Sequence, residues 1–388
     1  LNPFNKQGDK MDRRSFILAS GTSLALGAHS LTQAAEPGTA GNEILIGQSA
    51  VLSGPLSPAA VVLQGGVRLA FEEVNAQGGI GGRKLRLIAL DDAFDPARAK
   101  ANYETLVDKE NVLACIGGVG AMPTLAGLPV LREAGVPLVG ATAVVDSVRD
   151  KSAGVAYFTR STQLREAESL VQHLATLGLR RIAVAHIGTP GGLEVLSQIK
   201  SVGDKLKVEV VGAAAVAPDG STLEAAGKAL AQFQAQAVIM FLTAAAGAGV
   251  IKAVLASGSS PNFYGMSILA GDVAAKLLGD QSRGLAISEV TPYPWDGANA
   301  DALQYRRAAD KAQVPVGYHS YEGYIAARVL ALAIREAGRD LSRARLHASL
   351  ARLRMRFAGL DIDFNGGRTT GTHFVELVRV RNDGRYVR

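Results

Sequence analysis

Residues 112–142, VLACIGGVGAMPTLAGLPVLREAGVPLVGAT, carry the reading that decides the fold. Residues 112–116 form a short apolar run, 136–139 form a second, and a helix is predicted between them from near Pro123. Short apolar runs bounded by turn residues read as strands buried on both faces. Strand–helix–strand repeats of that kind build a mostly parallel sheet covered by helices. Both strands end in small residues: Gly118-Val119-Gly120-Ala121-Met122-Pro123-Thr124 after the first, Gly140-Ala141-Thr142 after the second. Ligands of open α/β sheets bind at the carboxyl ends of parallel strands, where backbone N–H groups and helix N-termini converge. Small side chains let a ligand approach the backbone, and Thr142 adds a hydroxyl. Such a turn suits a carboxylate or another small polar group. The same glycines would also serve tight turns alone.

The pattern extends in both directions. Upstream, 43–52 (EILIGQSAVL) ends at Ser53-Gly54-Pro55. A helix follows, with Val67, Ala70, Phe71 and Val74 on one face and a stop at Gly78-Gly79. Residues 85–90 are the next strand, and Asp95-Pro96 opens a second helix as cap and first position. Downstream, a helix carrying Ala167, Leu170, Val171 and Leu174 runs to Gly178, and 181–186 is a strand. Helices near 191–206, 222–233 and 245–257 alternate with strands at 207–216, 236–242 and 262–266. Strand 285–290 precedes TPYPWDG (291–297), whose two prolines break regularity before helices at 298–312 and 318–338. The tail differs: 357–364, 373–381 and 386–388 read as short antiparallel strands, with Asn382-Asp383-Gly384 as a hairpin turn. The expected architecture is α/β, two doubly wound parallel-sheet lobes of similar design.

Composition narrows the function. The chain has 388 residues, 48% hydrophobic and 20% charged, which is globular and about two domains long. A single cysteine, Cys115, excludes an intramolecular disulfide and any cysteine-based zinc cluster. The formal charge of +6 is spread without a dense basic run, and aromatic residues are only 5%, so no nucleic-acid partner is expected. Residues 1–10 read as an upstream extension before Met11, and 11–35 as an export leader. Arg13 and Arg14 charge its start, 16–28 is a short apolar core, and small residues precede Pro37. D-R-R-S-F-I resembles a twin-arginine signal, with the general secretory route as the alternative. No cysteine follows the apolar core to take a lipid there, and no later segment reaches the ~18 apolar residues of a membrane span. Direct membrane insertion is therefore not expected.

No catalytic set emerges. His173, His186, His319, His347 and His373 stand at no metal-ligand spacing, and neither a phosphate loop nor a nucleophile elbow follows the leader. A dinucleotide fingerprint at Gly118-Val119-Gly120 fails, because Pro123 holds the third glycine position and no acidic residue closes the next strand. No cofactor, metal or enzymatic activity is expected.

Longer blocks give a resemblance. LSGPL (52–56), LAFEEVNAQGGIGGRKLRLIALDDAFDPARA (69–99), VLREAGVPLVGAT (130–142), HLATLGLRRIAV (173–184), YEGYIAARVLALAIREAG (321–338) and FVELVRVRNDGRYVR (374–388) occur in collinear order. Together they resemble the leucine/isoleucine/valine-type periplasmic binding proteins, the solute receptors of ABC importers. The resemblance implies the type I periplasmic binding fold, with three crossover strands near Arg160, Thr291 and Ala358. Lobe 1 would be 43–160 plus 291–357, and lobe 2 would be 161–290 plus 358–388. It further implies a periplasmic location and an amino acid or related small carboxylate or amide held between the lobes. The closed form would dock on an ABC permease with its cytoplasmic ATPase. A periplasmic sensor feeding a signalling partner is the alternative.

Carried over residue by residue, the resemblance assigns ligand contacts to Val119, Gly120, Ala121, Gly140, Ala141 and Thr142 in one lobe, and to Gln163, Thr243 and Ser267 in the other. Several positions depart from the family pattern. Ala121 stands for a serine, Ala59 for an aromatic, Gln163 for a tyrosine and Thr243 for an aromatic. His186-Ile187-Gly188-Thr189-Pro190-Gly191-Gly192 replaces a polar, acidic and aromatic loop, and Phe94 stands where some relatives have a disulfide cysteine. Ser267 falls where amino-acid receptors carry the glutamate that pairs with the ligand ammonium. A buried ammonium needs an anionic partner. Either the ligand lacks an ammonium or another acid meets it, with Glu166, Asp272 and Glu289 as the candidates.

Overall fold

The computed structural model describes residues 38–381 and 386–388. The expected extension, the export leader and the turn at Asn382-Asp383-Gly384 lie outside the described residues. The first lobe begins with β1 (Thr39–Ala40), β2 (Glu43–Ala50), α1 (Ser57–Ala76), β3 (Lys84–Asp91) and α2 (Pro96–Glu104). It continues through β4 (Ala114–Ile116), α3 (Ala121–Glu133), β5 (Leu138–Val139), α4 (Asp146–Lys151) and β6 (Ala156–Tyr157). The second holds α5 (Gln163–Thr176), β7 (Arg181–Ile187), α6 (Pro190–Leu206), β8 (Glu209–Val216), α7 (Leu223–Gln232) and β9 (Ala237–Phe241). After these come α8 (Ala244–Ala256), β10 (Asn262–Gly265), α9 (Gly271–Leu278) and β11 (Ala286–Glu289). The chain then returns through α10 (Ala300–Ala312), α11 (Tyr318–Ala337), α12 (Arg343–Leu350), β12 (Arg354–Phe357) and β13 (Leu360–Asp363), and ends with β14 (Glu376–Val380) and β15 (Tyr386–Val387).

Local chemistry sets the helix starts near the interlobe face. Asp95 accepts from the Arg98 N–H ahead of Pro96, Thr162 from the Arg165 N–H, and Thr189 from the Gly192 N–H ahead of Pro190. α5 then buries Ala167, Leu170, Val171 and Leu174, the face that its periodicity predicts.

The parallel strands of the first sheet run β3-β2-β4-β5-β6, and those of the second run β8-β7-β9-β10-β11. Both are the same winding, with the order reversing between β2 and β4 and between β7 and β9. The second sheet adds β14, antiparallel to β11, and then β15, antiparallel to β14. A crevice opens at the carboxyl ends of strands flanking such a reversal. The turns after β2, β4, β7 and β9 are therefore the positions that the topology offers to a ligand.

Three crossings join the lobes. The first runs from β6 to α5 through Thr159, Arg160 and Ser161, and the second from β11 to α10; Thr291, within it, is 3% exposed. The third comes later than Ala358. β12 and β13 pair as a hairpin with Ala358 (φ 58°) and Gly359 (φ 88°) as its two-residue turn, where one continuous strand was expected. The Ala358 N–H donates to Asp301 of α10 at 2.8 Å, which anchors that turn. Leu360, Ile362 and Phe364 bury in the core that holds α1 and α11. The chain crosses only at 372–375, after Thr369 and Gly371 have bonded the Phe158 backbone on both sides. The first and third crossings thus run side by side.

Candidate functional site

The first lobe's turns are locked together by their own backbone. Val119 and Thr142 form a parallel bridge: the Thr142 N–H donates to Gly118 O (2.8 Å) and the Gly120 N–H to Thr142 O (3.0 Å). Gln48, fully buried at the end of β2, donates to Gly117 O (3.2 Å) and accepts from Gln64 (2.8 Å). This places Val119, Gly120, Ala121, Gly140, Ala141 and Thr142 in one patch. The peptide N–H and C=O of Thr142 are both used there, so the hydroxyl is the group that it can offer. The Phe94 ring lies over Gly120, so close that a Cβ on Gly120 would stand 2.4 Å from Cε2.

The second lobe contributes Gln163 at the first position of α5, Thr243 at the cap of α8 and Ser267 in the turn after β10. Gln163 and Ser267 are 2% and 4% exposed. Ser267 is gripped by Glu166: its N–H donates to Oε2 (2.7 Å) and its hydroxyl to Oε1 (2.9 Å). The Ser288 hydroxyl adds a third bond to Glu166 at 2.8 Å. Thr243 makes no hydrogen bond to this cluster among the described residues; its carbonyl caps α8 instead.

Arg160, on the first crossing, ties the two sides. Its Nη2 donates to the Ser267 hydroxyl and to Glu166 Oε1 (3.4 Å), and its Nη1 donates to Glu322 Oε1 (3.2 Å). Glu322 lies on α11 of the first lobe and Glu166 on α5 of the second, so one guanidinium spans both. Burial opposes the Arg160 charge, yet Glu322 and Glu166 hold its pKa above the ordinary value. Burial alone pushes the Glu166 carboxyl up. Its four donors, one of them a guanidinium, are nevertheless the surroundings of an ionised carboxylate. Arg160 Nε, Ser161 Oγ and Gln163 Oε1 are buried without a hydrogen-bond partner.

Arg149 fixes the crossing from behind. It is 2% exposed and lies 4.4 Å over the Phe158 ring. It donates to Val144 O (3.0 Å), Arg160 O (3.3 Å), Ser161 O (2.8 Å) and Thr370 Oγ1 (3.3 Å). A seam of contacts also joins α4 to the second lobe. The Leu164 N–H (3.1 Å) and Gln198 Nε2 (3.0 Å) donate to Asp146, and the Ser147 N–H donates to Glu194 (2.9 Å).

Sequence reasoning named the turns, Ser267 and, among the acids, Glu166, but not the charged groups that surround them. Arg160 had been read only as a crossover position, and Arg149, Glu322 and Ser288 had no part. For Glu322 the sequence offers only a carboxylate in a largely apolar helix; its burial, with thirteen other residues of α11, shows only in the structure. Among the described residues no group of three metal-ligating side chains occurs. The Cys115 thiol is buried, and that burial pushes its pKa up to about 12, so it is not a nucleophile.

Comparison with known proteins agrees with this architecture. The sequence pattern of the family described as periplasmic binding protein matches residues 43–385. A Leu/Ile/Val-binding protein homolog 7 from Brucella abortus is 33% identical over 128 residues, 33% of this chain and 31% of that protein. That match spans about a third of the relative's length. A leucine-, isoleucine-, valine-, threonine- and alanine-binding protein from Pseudomonas aeruginosa is 22% identical over 307 residues, covering 77% of this chain and 80% of that one. The crystal structure of a substrate-binding periplasmic protein from Ralstonia solanacearum superposes with a TM-score of 0.84 at 26% identity, covering 89% of this chain and 99% of the other.

Proposed function

This chain belongs to the periplasmic binding protein family, and from that premise we propose that it is the solute receptor of an ABC importer. In the periplasm it takes an amino acid, or a related small carboxylate or amide, between its lobes. It then presents the closed form to a membrane permease driven by a cytoplasmic ATPase. It binds its solute and leaves it chemically unchanged.

The observation that carries this reading is the convergence at the crossings. Hydrogen bonds through Arg160 and Arg149 join Arg160 and Ser161 of the first crossing to Ser267 of the second lobe and Glu322 of the first, and Thr159 on the same crossing lies 3.5 Å from the Cβ position of Gly140 in the turn that ends at Thr142. A ligand that touches both lobes at once favours the shut arrangement by its extra contacts, which is a population shift. Val119, Gly120, Ala121, Gly140, Ala141, Thr142, Gln163, Thr243 and Ser267 are the residues assigned to contact it.

The test is small-angle scattering and calorimetric titration of the full chain with the twenty amino acids and their amide and deaminated counterparts. A binding solute reduces the radius of gyration. Thr142→Ala weakens its affinity about two- to tenfold, the net worth of one hydroxyl hydrogen bond, and leaves the melting temperature nearly unchanged. Identical scattering for empty and saturated samples, or unchanged affinity in Thr142→Ala, removes respectively the closure and that contact.

A further inference from the structure

We propose that Glu322 is the anionic end of the ligand site and pairs with a primary ammonium on the solute. This rests on the receptor reading above and adds a residue to it.

The argument begins with charge. Arg160 is shared by two carboxylates, Glu166 and Glu322, whose side chains are 1% and 9% exposed. Buried ions are stable only when paired, and one guanidinium against two carboxylates leaves one negative charge uncompensated. The nearby Arg149 also feels both glutamates, yet it does not restore the balance, because it brings a third carboxylate with it and two guanidiniums then face three carboxylates. Its fork is committed to three backbone carbonyls and the Thr370 hydroxyl, and its own acid is Asp146 at 3.9 Å.

Hydrogen bonding then separates the two glutamates. An ionised carboxylate offers about four acceptor positions. Glu166 uses four, from the Ser267 N–H, the Ser267 hydroxyl, the Ser288 hydroxyl and Arg160. It is closed to any further donor. Glu322 accepts one bond, at Oε1, and its Oε2 accepts none from the described residues. The sequence-based candidate Glu166 is thus saturated, and Glu322 is the one with capacity left.

A second acceptor points the same way. Gln163, 2% exposed, has its Oε1 unpartnered, and it lies three residues before Glu166 on the same face of α5. An ammonium brings three donors, which suits Glu322 Oε2 and Gln163 Oε1 together. The unpartnered donors Arg160 Nε and Ser161 Oγ lie on the adjoining crossing. Thr159 of that crossing sits 3.5 Å from the Cβ position of Gly140, beside the Thr142 turn. Those donors would receive the solute's own acceptor, such as a carboxylate.

The probes are the twenty amino acids, each beside the acid that lacks its ammonium, titrated into the wild-type full chain and into Glu322→Gln. An amino acid that binds the wild type is expected to lose at least about tenfold in Glu322→Gln, as when one partner of a buried charge pair is removed. Its deaminated counterpart is expected to bind the wild type at least about tenfold more weakly and to be indifferent to the substitution. Deaminated acids binding as tightly as their amino acids would overturn the proposal, and that arm needs no variant to fold. Unchanged amino-acid affinity in Glu322→Gln would overturn it as well. Silence of both series toward the wild type would take down the receptor reading for these solutes, and this inference with it.

Discussion

Arg149 occupies a place where an arginine has no water to turn to, so every one of its contacts counts. Its guanidinium holds Val144, Arg160 and Ser161 by their carbonyls and Thr370 by its hydroxyl, with the Phe158 ring beneath it. Burial and then the charge of Arg160 push its pKa down to about 9, still cationic at neutral pH. Lysine keeps the charge but has neither the planar fork nor the reach to several carbonyls at once. Arg149→Lys is therefore expected to lower unfolding stability by at least about 2 kcal/mol, since hydrogen bonds to charged groups are worth more than neutral ones. A urea titration checks it: the midpoint falls at unchanged slope, and an unmoved midpoint would refute the pinning role. At this scale the sequence is legible only where a side chain has one habitual use. Thr142 stands out as a hydroxyl after a glycine turn at a strand end, in a block that matches the ligand turn of the family it resembles. Arg149, Arg160 and Glu322 do not, because such residues are ordinarily exposed, and only the meeting of two crossings and two helices buries them.

The elements divide by length. The long ones follow from periodicity: α1, α5, α6 and α11, and the fully buried strands β4 and β9, fall within a few residues of expectation. Of the short ones, β4 and β5 sit inside longer apolar runs and are legible, whereas two residues (β6) or six to eight (α4, α9, α12) do not complete a pattern that a window can register. The β12–β13 hairpin was read as one strand because its turn, Ala358-Gly359, lacks the usual asparagine or aspartate. Helix contact distance was equally hidden. At Gly66 and Gly323, α1 and α11 touch backbone to backbone: a Cβ on Gly66 would stand 1.8 Å from Ser320 O, and one on Gly323 2.0 Å from Leu63 O. Gly66→Ala forces the helices apart and is expected to cost about 1–3 kcal/mol, the range for overpacking. Gly65→Ala, whose Cβ would meet only the Val314 side chain at 3.3 Å, is the control. It gains up to about 1 kcal/mol of helix propensity to offset that contact. Equal melting temperatures for the two variants would show that α1 and α11 do not depend on this approach.

At the scale of the whole molecule, the arrangement of the lobes is held by few direct bonds. The seam from α4 consists of Asp146 receiving the Leu164 N–H and Gln198, and of Ser147 donating to Glu194 through both its N–H and its hydroxyl. Val145 packs on Gly191 beside it, 3.2 Å from where a Cβ would be. The Ser147–Glu194 pair is solvent-exposed, so water competes for it and its net worth is about 1 kcal/mol. Both partners lie outside the cluster around Arg160, so removing Glu194 leaves that polar set intact while weakening the grip between lobes. Glu194→Ala is accordingly expected to shift the empty protein toward a more open population. Apparent affinity falls in proportion to the competent fraction, by up to about fivefold for 1 kcal/mol. The loss should appear mainly in the dissociation rate, because contacts made only in the shut form are lost on opening. Scattering of the ligand-free variant should give a larger radius of gyration than wild type, with a melting temperature within a few degrees. A variant with the wild-type radius and unaltered dissociation would mean that the crossings alone, and not the seam, set the balance between open and shut.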